Sequence, residues 1–150
     1  MHIRAIVPAD RADWLRMRAL LWPEESAADL AHQSDTFLAG APPDTCFLSA
    51  VLVSEAAPGE LTGFIEIFVR NYAEGCAGPT PYVEGWYVDA PQRSRGVGRA
   101  LMCAAEDWAR EHRFGELGSD TPLENESSQR AHRTLGFEEI ERIVHFRKAL

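Results

Sequence analysis

The stretch Tyr87-Val-Asp-Ala-Pro-Gln-Arg93-Ser-Arg95-Gly96-Val-Gly98 places two arginines ahead of two glycines, and Arg99 follows at once. It reads as a strand, a basic glycine-bearing turn, then a helix. A helix N-terminus leaves backbone N–H groups without intrahelical acceptors, and its dipole favours negative charge. Glycine gives a ligand oxygen room to approach the backbone. The chemistry offered is therefore anion binding, of the kind that holds a nucleotide phosphate. A plain turn after a strand is the rival reading. Clustering of Arg93, Arg95 and Arg99 in a chain of net charge −8 favours the anion. Two familiar phosphate loops are excluded. The dinucleotide pattern needs a third glycine where Leu101 stands, and no Gly-Lys-Ser/Thr follows as in a Walker A loop.

Such a turn must be carried by a fold. The chain has 150 residues, 45% hydrophobic and 25% charged, which fits one globular domain over 1–150. No apolar run reaches the length of a membrane span. Met1-His-Ile-Arg-Ala-Ile-Val-Pro8 is too short and too charged for a signal peptide. Cys46, Cys76 and Cys103 are odd in number and lack ligand spacing, so neither a disulfide framework nor a metal is expected. A reducing cytoplasmic compartment fits best. The acidic balance argues against nucleic acid and suits a cationic partner, although solubility explains it equally well.

The pattern predicts a first strand over 2–7 and a helix from Ala9 to Leu21, with Trp14, Leu15, Met17, Arg18 and Leu21 at helical spacing. Trp22-Pro23 stops it. A second helix runs from Ser26 to Leu38, with Ser26 as its cap. Cys46–Val53 and Leu61–Val69 form a hairpin about Pro58-Gly59. Residues 71–81 are a Gly- and Pro-rich loop, and Tyr82–Val88 is the strand leading into the basic turn. Val97, Leu101, Ala104, Ala105 and Trp108 share one face of the next helix. Phe114–Ser119 is a short strand parallel to the one before that helix. Thr121-Pro-Leu-Glu124 reads as a capping box opening a helix to about Leu135, ended by Gly136. Ile140–Lys148 is a final strand. The expected fold is an α/β mixed sheet in the order β-α-α-β-β-β-α-β-α-β.

That order, with Arg-x-x-Gly-x-Gly after the fourth strand and Leu135-Gly-Phe137 after the last helix, resembles the GNAT superfamily of N-acetyltransferases over essentially the whole chain. Leu21-Trp22-Pro23, Tyr82-Val-Glu84-Gly85, Ser119-Asp-Thr121, Glu124-Asn125, Ser128-Gln129, His132 and Leu135-Gly-Phe-Glu-Glu-Ile-Glu141-Arg142 together resemble the chromosomal, dimeric type of aminoglycoside 6′-N-acetyltransferase. The resemblance implies acetyl-CoA as cosubstrate. It places the pyrophosphate on backbone N–H groups of Arg95, Gly96, Val97, Gly98, Arg99 and Ala100, with Arg93 at the motif's first basic position. It runs the pantetheine along Trp86, Tyr87 and Val88, where two central parallel strands splay and leave backbone unpaired. A backbone N–H near Val88 then polarises the thioester carbonyl. Asn125 falls near the cofactor thiol; as a bare residue it is a helix-surface polar group. Many members carry a tyrosine seven residues after that asparagine as general acid. Here His132 holds the position, either as the acid or as packing beneath the cofactor.

The acceptor nitrogen must lose a proton before it attacks, which calls for a base. Glu84 is the candidate, on the strand that holds the cofactor, with Tyr82, Val83, Trp86 and Val88 as apolar neighbours able to raise its pKa. Its bland reading is a solvated strand-face glutamate. A polycationic acceptor calls for carboxylates and an aromatic wall. Trp22, Tyr72, Glu84, Asp120 and Glu141 supply that set, although Trp22 also suits a core and Asp120 a helix cap. Glu24-Glu25 stands where the resembled enzymes often carry Gly-His, residues 54–60 lengthen the first hairpin, and the 71–81 loop is proline-rich. These departures bear on acceptor range. A polyamine, another small amine or a protein N-terminus are alternative acceptors. A non-catalytic acyl-CoA-binding regulatory module is the alternative from another class. The resemblance also implies a homodimer. The apolar last strand either pairs across subunits or closes its own sheet.

Overall fold

A computed structural model describes residues 1–40 and 48–149. Among them, five strands form one sheet in the order β1-β2-β3-β4-β5. They are β1 (His2–Ala5), β2 (Ala50–Ala57), β3 (Glu60–Arg70), β4 (Thr80–Val88) and β5 (Gly118–Ser119). The first four pair antiparallel, and β5 joins β4 in parallel. Four helices interleave: α1 (Arg11–Leu21), α2 (Ala27–Leu38), α3 (Val97–Glu111) and α4 (Glu126–Thr134). Ser26 caps α2, its hydroxyl accepting from Asp29 N–H. None of the helices is long and apolar enough to cross a membrane.

Alternation along the strands sorts apolar side chains to two faces. Val51, Val53 and Phe64 face Trp14 and Met17 of α1. Ala50, Ile65 and Ile67 face Val97, Leu101, Met102 and Ala105 of α3. The helical stripe read from the sequence thus buries the α3 side of the sheet.

Three expected elements differ. The strand expected over 114–119 shrinks to Gly118–Ser119; Phe114 stacks on Trp108 instead, with ring centroids 6.5 Å apart. The last helix does not open on Thr121. It begins at Glu126, because the side chain of Asn125 accepts from Ser128 N–H and so caps it. Residues 140–148 form no strand among the described residues. A strand needs a neighbouring ladder, and a two-residue β5 offers almost none. Ile140, Ile143, Val144 and Phe146 are left exposed. Cys46 and Phe47, expected to open the second strand, lie outside the described residues.

Register sets the site. Glu66 pairs with Gly85 and Ile67 with Val83, so Glu84 is the extra residue of a bulge. The bulge breaks the alternation and turns both Glu84 and the open side of Gly85 toward α1. The β4–β5 ladder covers only Tyr82↔Gly118 and Val83↔Ser119. Beyond Val83, the described residues pair nothing with that edge of β4.

At Gly63 a Cβ would stand 2.7 Å from the Tyr87 carbonyl oxygen. Gly63→Ala is therefore expected to force β3 and β4 apart and cost about 1–3 kcal/mol of stability. Urea denaturation of the two proteins reads this directly.

Candidate active site

At the N-terminus of α3, Gly96 sits in the left-handed region with φ of 85°, and no side chain caps the helix. A side chain is strained in that conformation, which explains this glycine. The first helical bond runs from Ala100 N–H to Gly96 O at 2.9 Å. The free donors are therefore Val97, Gly98 and Arg99; Ala100 does not belong to the row. Gly98 also reads differently from expectation. The place of its missing Cβ lies 3.1 Å from the Trp86 indole, whose Nε1 donates to Gly98 O at 3.2 Å. Gly98 makes room for Trp86, whereas the space beside Gly96 is open. Arg95 and Arg99 are exposed and form no ion pair among the described residues. Arg93 ties the turn back to the strand, its Nε donating to Val88 O at 2.9 Å.

Strand β4 presents backbone to this turn. Asp89 N–H bonds Thr62 O across β3 at 2.9 Å. Alternation then turns the N–H and C=O of Val88 to the opposite, open edge. Tyr87 points its ring into the α1-side core, stacked on Phe64 with centroids 6.0 Å apart. Its N–H and C=O share the parity of Asp89 and turn to β3 opposite Phe64, so Tyr87, expected above as a cofactor contact, offers the open edge neither ring nor backbone.

On the α1 side lies a cavity of about 200 Å³, lined by Arg18, Trp22, Glu25, Leu30, Gln33, Glu66 and Glu84. Trp22 rests on Gly85, where a Cβ would come within 2.6 Å of its ring. It serves both readings given above, packed against the core and lining the cavity. Glu84 is not set among apolar groups as expected. Its two oxygens accept from Arg70 Nε at 2.8 Å and Nη2 at 2.9 Å. The Arg70 guanidinium in turn lies 3.5 Å above the Tyr82 ring. The Tyr82 hydroxyl meets Asp120, and burial together with that carboxylate pushes the phenol's pKa up. Glu84, Arg70, Tyr82 and Asp120 thus form one continuous chain of contacts. Asp120 caps no helix.

Tyr72 and Glu141 stand apart from the cavity lining. The exposed Tyr72 hydroxyl bonds Glu74, which raises its pKa, and Glu141 adds to that rise. Ile140 reaches this loop at Gly75. His132 projects from α4 between Trp86 and Phe137, edge-on to each. Its Nε2 lies 2.8 Å from Ser119 Oγ.

Sequence reasoning missed Arg18, Glu66, Arg70 and Tyr82. Glu66 is fully buried; it accepts from Trp14 Nε1 at 2.8 Å and pairs with Arg18 Nε at 2.9 Å. Burial pushes its carboxyl up to about 7, against the pull of Arg18 and Trp14. One signal was visible: a glutamate amid the apolar run Phe64-Ile65-Glu66-Ile67-Phe68. The unfolded chain releases this proton near 4.5 and the folded chain near 7. Between those values the folded state holds the extra proton, so stability falls as pH rises through that window. Urea denaturation across it is expected to show this slope, and Glu66→Gln to lose it.

A family model described as acetyltransferase (GNAT) family matches residues 14–137. An aminoglycoside N(6′)-acetyltransferase type 1 of Klebsiella aerogenes is 43% identical over 151 positions, covering 99% of this chain and 96% of the relative. A protein of the same name from Stenotrophomonas maltophilia is 41% identical over 150 positions, covering 99% and 93%. The solved structure of AAC(6′)-Iy in complex with the bisubstrate analogue CoA-S-monomethyl-acetylneamine superposes with a TM-score of 0.86. It is 31% identical and covers 99% of this chain and 98% of that one.

Proposed function

Because the chain belongs to the acetyltransferase (GNAT) family, we propose that it transfers the acetyl group of acetyl-CoA to the 6′-amine of aminoglycosides, by direct attack in a ternary complex. The observation that carries the mechanism is the placement of β4. One face of it looks onto the carboxylate-lined cavity, and its open edge leads to the free N–H groups of α3.

The cosubstrate side follows from that edge. The N–H groups of Val97, Gly98 and Arg99, with Arg95, Gly96 and Arg93 around them, fit a pyrophosphate. Beyond Val83 the two parallel strands splay. Around Tyr87, whose own backbone bonds β3, Trp86 and Val88 then offer backbone to the pantetheine as an added strand would use it. An outward N–H of this edge suits the thioester oxygen, where charge grows as the amine attacks. Asn125 fixes the start of α4 beside this cleft, and His132 supplies the proton that the departing thiolate needs.

On the acceptor side, Trp22, Glu84 and Asp120 receive the polycation, and Tyr72 with Glu141 extends the acidic and aromatic surface outward. Arg70 holds Glu84 oriented until the ammonium competes for it. Glu84 then takes the ammonium proton, directly or through one water, and passes it to solvent. Several carboxylates around an aromatic wall fit a compact polycation better than a protein N-terminus. The reaction belongs in the cytoplasm, where acetyl-CoA is made available.

The working unit in this reading is a homodimer. Residues 140–148 carry Ile143, Val144 and Phe146 outward, with Phe146 94% exposed. A second copy is the occupant that covers this segment and gives it the ladder it lacks. Sedimentation is expected to give twice the 16.7 kDa chain mass; a monomer at micromolar concentration overturns the dimer.

The activity is tested by free-thiol release from acetyl-CoA with two matched aminoglycosides, one bearing a 6′-amine and one a 6′-hydroxyl. Turnover is expected with the amine alone. Glu84→Gln is expected to lower kcat on the order of 10²-fold while acetyl-CoA binding, followed by calorimetry, stays intact. Near-normal turnover in that variant removes Glu84 as the base.

A further inference from the structure

Ser119 ends the short ladder between β4 and β5, opposite Val83. From Val88 back to Val83 the open edge of β4 runs five residues, about 16 Å at roughly 3.3 Å per residue. A chain laid along that edge from the α3 donors therefore runs out against Ser119. The Ser119 Oγ lies 2.8 Å from His132 Nε2.

The other ring nitrogen of His132 settles the polarity of that contact. Nδ1 lies 2.8 Å from the Ser128 carbonyl oxygen and 3.3 Å from the Ser128 hydroxyl. A carbonyl only accepts, so Nδ1 carries a hydrogen and Nε2 is the acceptor nitrogen of the neutral ring. In the neutral ring, Ser119 donates its hydroxyl hydrogen to Nε2. In the protonated ring, Nε2–H donates to Ser119 Oγ and frees the hydroxyl hydrogen to point at the open edge.

The ring has little freedom to turn. Trp86 of β4 meets it edge-on at 5.3 Å, and Phe137 meets it edge-on at 5.1 Å. Among the described residues, Ser119 of β5 and Ser128 of α4 are its hydrogen-bond partners; none of these four groups is charged. Trp86 is itself tied to Gly98 O at the first turn of α3. One indole therefore links the anion-binding turn to the histidine.

We propose that Ser119 is the group that protonates the departing thiolate, with His132 Nε2 restoring the proton to Ser119. This rests on the acetyl-transfer reading above. As the nitrogen–carbon bond forms and the carbon–sulfur bond breaks, sulfur keeps the bonding pair and takes the Ser119 hydroxyl proton. Ser119 Oγ takes the proton held on Nε2. The attacking nitrogen loses two protons in all. One leaves through Glu84 to solvent, and the other replaces, through water, the proton that His132 gave. One proton is released per turnover.

Single-turnover acetyl transfer and ring nitrogen-15 spectroscopy of the ligand-free protein test this together. Ser119→Ala is expected to slow the single-turnover rate on the order of 10²-fold with KM for acetyl-CoA unchanged. Ser119→Thr, which keeps the hydroxyl, is expected to restore it to within a few fold. Combining Ser119→Ala with His132→Gln is expected to cost little more than either change alone, because the pair acts as one unit. The neutral His132 ring is expected to carry its hydrogen on Nδ1 and none on Nε2. A wild-type rate in Ser119→Ala, or a neutral ring protonated on Nε2, overturns the proposal while leaving the acetyl-transfer reading in place. Absence of turnover in the wild-type protein overturns that reading and this one with it.

Discussion

Arg18 and Glu66 are both sealed beneath the acceptor-side cavity, and each is held there by the other. Taking two charges out of water costs several kcal/mol per ion even after relaxation. The surroundings offset this with directed contacts. Arg18 donates to Leu30 O and Ser34 Oγ, each at 2.9 Å, and to Gln33 Oε1 at 2.8 Å. Its guanidinium carbon lies 5.2 Å from the ring centroids of both Trp14 and Trp22. Glu66 receives the Trp14 indole N–H. One guanidinium thereby joins α1, α2 and β3, and loss of either charged partner would leave the other buried and uncompensated. The floor of the cavity is rigid because it is costly to open. Trp22 inherits its position from that floor, lying over Gly85 and beside Glu84.

Strand β4 is shared by both halves of the site. Its bulge delivers Glu84 and the bare side of Gly85 to the α1 face. Its outer edge loses β5 after Val83 and exposes backbone toward α3. Between them, Trp86 crosses to the α3 face and reaches both Gly98 and His132. In the proposed reading, an acceptor on one face and a thioester along the edge meet across the thickness of a single strand. The short β5 is essential to this, since a longer parallel ladder would satisfy the edge and close the cleft.

How much of the site was legible depends on the kind of interaction. The basic glycine turn was readable because it is local: glycine conformation, helix start and flanking arginines all lie within a few residues. Glu84, Trp22 and His132 were found through a resemblance, and their spacing alone gave no reason to set them together. The environment expected for Glu84 was wrong in kind. Its neighbours in sequence are apolar, but its neighbour in space is Arg70, fourteen positions away and delivered by the hairpin. Gly98 keeps its free N–H, but the room left by its missing side chain is taken by Trp86, twelve residues back, which local sequence does not show. Asn125 was legible as a helix-surface polar residue; that it caps the helix instead was settled by the geometry of the turn before it.

The sequence by itself determined the elements with strong periodicity: α3 through its apolar stripe, the β2–β3 hairpin through its turn, and the basic glycine turn through local stereochemistry. These depend on neighbours along the chain. Tertiary structure alone decided that Arg18 and Glu66 share a buried floor, that a bulge re-aims Glu84, and that Ser119 meets His132. It also decided that residues 140–148, apolar enough to be read as a strand, find no ladder to join within the described chain. Each of these turns on which backbone edge or side chain stands opposite, and that is set by register and layer contacts rather than by composition.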